Sequence, residues 1–131
     1  QVRAVLDFDL PVAVLLVAVL HFVRDEEAPA ALVAELRDAL APGSHVVLSH
    51  VSGDFDPERA RTAAQVYTRA TAPAVLRPWH EIRALLDGFE LVPPGLVALP
   101  RWDPDGDPDD GSFGAFDERL VWLYGGVGCK R

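Results

Sequence analysis

An α/β fold, a parallel sheet covered by helices, is predicted by two valine-rich strands and a helix between them. The first run, Pro11 to Leu20, is apolar on both faces and rich in β-branched valine, the pattern of a central strand buried on both sides. A buried helix is the competing reading, and Pro11 and the valine content weigh against it.

After it, Arg24-Asp-Glu-Glu-Ala-Pro29 puts carboxylates and a proline in the first turn of a helix, where they face the positive end of its dipole. Leu32, Val33, Leu36 and Leu40 recur at helical spacing and should lie on the sheet, and Ala41-Pro42-Gly43 ends the element. His45 to His50 is a second strand, which completes a βαβ unit expected to be parallel and right-handed.

Asp56 is an N-cap with Pro57 at the first helical position, and Ala60, Ala63, Ala64, Tyr67 and Ala70 form a stripe of small side chains on one face. Trp79, Ile82, Leu85 and Leu86 mark a shorter helix between Pro78 and Gly88. Phe89 to Val92 reads as a strand that Leu96 to Leu99 resume, and Pro93-Pro94 confines it to an edge or a bulge. Leu120 to Tyr124, ahead of Gly125-Gly126, is the final strand. No crossover helix is evident before it, so the last two strands should pair antiparallel.

Composition narrows the function. Half of the 131 residues are hydrophobic, enough to fill one core, and a net charge of -8 argues against a nucleic acid or an anionic membrane surface as partner. Seven of the 20 acidic residues lie between Asp103 and Glu118. The aspartate-rich loop there lacks the calcium-loop spacing, with Pro108 at the position of the sharp-turn glycine and Gly114 at that of the bidentate glutamate, so it reads as a solvated loop. The uncharged run Leu10 to Val23 is shorter than the roughly 18 to 20 residues of a spanning helix. One cysteine, Cys129, permits no internal disulfide and fits the cytoplasm. There is no methionine, so translation is not expected to begin at Gln1.

There is no nucleophile elbow, the neighbours Ser49 and His50 point to opposite faces of a strand, and His21, His45, His50 and His80 lack metal-ligand spacing. His21 follows the first strand directly, and ligands of open parallel sheets lie beyond the carboxyl ends of the strands. A neutral imidazole there can accept a proton. His50 ends the next strand.

The string Val19-Leu-His-Phe-Val-Arg-Asp-Glu26, a helix, and Leu40-Ala-Pro-Gly-Ser-His-Val-Val-Leu48 resemble the fourth strand, following helix and fifth strand of class I S-adenosylmethionine-dependent methyltransferases. With Arg77 to Gly95 and the terminal Tyr124 to Lys130, the whole chain is similar to an actinobacterial family of S-adenosyl methyltransferases of uncharacterised substrate.

The resemblance implies the C-terminal half of a Rossmann-like sheet: two parallel strands with helices plus a terminal antiparallel pair, the N-terminal cofactor-binding part being absent. It implies S-adenosylmethionine as cofactor, flanked by Ala18, Val19, Leu20, His21 and Phe22, and His21 as the base that deprotonates a small-molecule acceptor. Tyr67 and Trp79, in the helical region after the fifth strand, are the implied acceptor-binding residues, with packing in the core as the alternative reading; His50 joins them by its place at the end of the second strand, and no metal is implied. The fragment alone is expected to be inactive. The alternative is a non-catalytic half-sheet module that pairs with another chain or copy through the exposed edge of its first strand.

Overall fold

A computed structural model describes residues 7–67, 74–103 and 121–131, with only the backbone for residues 63–67. In chain order the elements are β1 (Ala13–Val17), α1 (Pro29–Ala39), β2 (His45–Val51), α2 (Pro57–Tyr67), α3 (Trp79–Ala84), β3 (Glu90–Leu91), β4 (Val97–Ala98) and β5 (Leu123–Cys129). They form a mixed α/β open sheet in the order β1-β2-β5-β3, with β4 also paired to β5. The β1–β2 pair is parallel with Val14 opposite Val46, while β5 runs antiparallel to β2, β3 and β4.

Strand alternation sorts the side chains onto two faces. One face carries Val14, Leu16, Val46 and Leu48, and Val33 of α1, Ile82 of α3 and Leu85 and Leu86 just after α3 join the same core. The opposite face of β1 is not covered by the described residues: Leu15 is 66% exposed and Val17 51%. Among the described residues the first strand is therefore an edge with one bare face rather than a strand buried on both sides. Burial on both faces needs atoms that the described residues do not supply.

The start of α1 also differs from expectation. Asp25–Glu27 forms its own 3-10 turn, closed by the Glu27 carboxylate accepting the Arg24 N–H at 2.8 Å, and the α-helix begins at Pro29. Proline has no N–H to donate into the preceding turn, so the two helical stretches stay separate, with Ala28 in the left-handed region between them. On α1, Val33 and Leu40 are buried whereas Leu32 and Leu36 are exposed, so the stripe that meets the core is narrower than the spacing suggested. Lys130 ends the helix by donating from Nζ to the carbonyls of Arg37 and Leu40, both at 2.7 Å, which satisfies the unpaired acceptors of the last turn.

Asp56 caps α2 as expected, its Oδ1 accepting the Arg59 N–H at 3.0 Å. The final strand lies further along the chain than the apolar run indicated and takes in the glycines. Gly128 lies under Phe89, where an added Cβ would come within 2.7 Å of the Phe89 Cβ, and Gly126 lies under Gly95 and Leu96. Glycine enters this strand because neighbouring chain presses on it. Ala70 and all of the aspartate-rich loop after Asp103 lie outside the described residues. Among the described residues no helix is long and apolar enough to cross a membrane.

Candidate functional site

The parallel pair sets the location, since the carboxyl ends of β1 and β2 lie side by side. Beyond β1 the chain turns at once: Ala18 takes a positive φ of 53°, and its N–H donates to the Ser49 Oγ at 3.0 Å. A 3-10 turn over Leu20–Phe22 follows. Its residues divide by direction, with Leu20 and His21 buried and Val19 and Phe22 half-exposed. Of the five residues expected along the cofactor, Ala18, Val19 and Phe22 thus face outward, and Leu20 and His21 face the protein.

His21 stacks at an angle on Phe22, with ring centroids 4.4 Å apart, and meets the His50 ring edge-on at 5.6 Å. Its carbonyl accepts the Val75 N–H at 2.7 Å. The buried Nδ1 of His21 has no hydrogen-bond partner among the described residues. Leaving such an atom unsatisfied costs about 1–3 kcal/mol, and a bound polar group would remove that cost. Burial, and then the charge of Arg77, hold the His21 imidazole below its ordinary pKa, so the ring is neutral near physiological pH.

His50 is fully buried with both ring nitrogens engaged. Nδ1 lies 2.7 Å from the Val51 carbonyl, which only accepts, so Nδ1 carries the proton; Nε2 is then the acceptor for Arg77 NH1 at 3.0 Å. Protonating Nε2 would set an N–H against a guanidinium. Burial first, with the charges of Arg77 and His21 adding to it, lowers the His50 pKa to about 4, while the bond to Val51 opposes the shift.

Arg77 and Asp25 were not singled out from sequence, yet they complete the constellation. The buried guanidinium donates to the carbonyls of Leu20 (3.2 Å) and Val23 (2.9 Å) and to Asp25 Oδ1 (2.6 Å), as well as to His50. Its partners lie 27 to 57 residues earlier in the chain, a separation that no local pattern encodes. A lone arginine inside an otherwise apolar stretch, Ala72 to Trp79, was the available signal.

Trp79 is 42% exposed, and Asp54 Oδ2 accepts both its backbone N–H at 2.8 Å and the Tyr124 hydroxyl at 3.3 Å. The Trp79 indole N–H donates to the Leu96 carbonyl, and Phe55 stacks on Tyr124 at 4.7 Å. These contacts gather an aromatic group near the carboxyl end of β2. Tyr67 ends α2, and its side chain lies outside the described residues. No group of three metal-ligating side chains occurs among the described residues.

A family model described as S-adenosyl methyltransferase matches residues 1–131. Two solved structures are similar. One is a DUF574 family protein from Streptomyces avermitilis, with 34% identity and a TM-score of 0.83, covering 98% of this chain and 48% of the other. The second, from Thermobifida fusca and described as a candidate methyltransferase, has 30% identity and a TM-score of 0.81, covering 99% of this chain and 47% of the other. The chain therefore spans about half the length of these relatives. No protein of curated function matches.

Proposed function

The chain belongs to the S-adenosyl methyltransferase family, whose cofactor is S-adenosylmethionine, and we propose that it supplies the carboxyl-terminal half of one methyltransferase domain. The observation that carries this reading is the buried His21 Nδ1, without a hydrogen-bond partner among the described residues, at the carboxyl end of β1, the position where open α/β sheets bind ligands. When bound, the cofactor supplies an electrophilic methyl group on a sulfonium.

The residues at hand fit that group. Ala18, Val19 and Phe22 present a small apolar surface suited to the methionine or adenine end, and Leu20 and His21 support it from beneath. Neutral His21 accepts the proton of a small-molecule acceptor as the methyl group arrives. Trp79 borders the acceptor, and His50 stands behind His21. The negative charge favours neither nucleic acid nor a membrane surface as partner, and a lone cysteine suits the cytoplasm.

Half a domain leaves the cofactor site divided, so this chain alone is inactive. Calorimetric titration with S-adenosylhomocysteine is expected to give weak or no binding to the 131-residue chain, and tight binding once it is joined to the amino-terminal half of a family relative. Submicromolar binding by the chain alone would overturn the divided site, and no binding by either would overturn the cofactor assignment. A second reading, a non-catalytic module that pairs with another chain or copy, draws support from the edge of β1, unpaired among the described residues, and the exposed Leu15 and Val17. Light scattering that finds a stable, tight dimer without cofactor affinity in the joined protein would favour it.

A further inference from the structure

Of the buried polar side chains among the described residues, Arg77 has the most hydrogen-bond partners. Its side chain is 3% exposed, and a buried guanidinium is costly unless every donor direction is answered. Here the answers come from three places: the carbonyls of Leu20 and Val23 bracket the 3-10 turn that carries His21, Nε2 of His50 ends β2, and Asp25 closes the outer side with its own carboxylate 75% exposed. Two residues before Arg77, the Val75 N–H holds the His21 carbonyl.

We propose that Arg77 is a positioning residue for the candidate site, a clasp that fixes the His21 turn against the end of β2 and locks His50 in the tautomer protonated on Nδ1. Only a planar fork can address four acceptors on two sides at once, which a lysine ammonium does not do. The clasp has an electrostatic consequence. Among the described residues, the titratable and charged groups facing His21 are Arg77, the neutral His50 ring from β2 and, through Arg77, Asp25 from the turn before α1. Arg77 disfavours a proton on His21, and Asp25 partly offsets Arg77.

The significance for proton transfer rests on the reading of His21 as the base, but the test needs no cofactor and stands apart from the S-adenosylhomocysteine titration. Nuclear magnetic resonance titration of the imidazoles in the 131-residue chain reads the clasp directly. Arg77→Gln is expected to move the His21 titration up toward the ordinary value of about 6.5. Asp25→Asn, a change at an exposed carboxylate that leaves the core intact, is expected to move it down, because the arginine charge is then uncompensated.

The opposite signs are what a purely structural arginine would not produce. Arg77→Lys keeps the charge and loses the fork, so the His21 titration should stay low while the Val75 amide exchanges faster with solvent. A His21 titration that is unchanged in Asp25→Asn, or that moves the same way in both charge-altering variants, overturns the proposal. So does a Val75 amide as protected in Arg77→Lys as in the parent.

Discussion

At His50, a ring with no solvent exposure donates from one nitrogen and accepts at the other, so its proton count is set by geometry before pH is considered. The linked stability follows with a definite sign. In the unfolded chain a histidine takes up a proton near pH 6.5, whereas folded His50 resists until about pH 4. Stability is therefore full above about pH 6.5 and falls as the pH drops toward 4, by about 3 kcal/mol over that window. Denaturant unfolding across that range should show the fall in the parent and a shallower one in His50→Gln. His21 shares the direction, and on the proposed reading of it as a base its function should decline only on the acid side of the ordinary histidine pKa.

Elements are held here by close backbone approach as much as by apolar area. In β5 the glycines admit Phe89 and Leu96, and Gly128→Ala would force a Cβ to within 2.7 Å of another. Overpacking of that kind costs about 1–3 kcal/mol, so thermal unfolding of Gly128→Ala should begin several degrees earlier than in the parent. Removing volume has a comparable effect: Leu48 is almost wholly buried on β2, and Leu48→Ala should lose about 2–5 kcal/mol in denaturant unfolding. Gly88 ends the segment after α3 at a φ of 84° with the Arg37 guanidinium against it, so Gly88→Ala meets both backbone strain and a clash.

For the whole molecule, the two sheet faces are unequal. Among the described residues one is packed by α1 and α3, and along β1 the other is bare, with an unpaired strand edge beside it. Such an edge recruits strands or associates with itself. Leu15→Glu should lower self-association measured by light scattering while leaving the unfolding free energy within about 0.5 kcal/mol of the parent, because Leu15 is already exposed. An unfolding free energy shifted well beyond that would mean that the outer face of β1 is covered within this chain.

The amino-acid sequence by itself determined the class of fold, the order of the main elements, the two parallel strands, the antiparallel ending and His21 at a strand exit. Those features follow from periodicity, caps and prolines, which act over a few residues. Only the tertiary structure decided that β5 inserts beside β2, that its glycines are strand residues, and that Arg77 gathers Leu20, Val23, Asp25 and His50 around the candidate site. These depend on contacts between residues far apart in the chain, made when burial forces each polar group to find a partner and each close approach to find room.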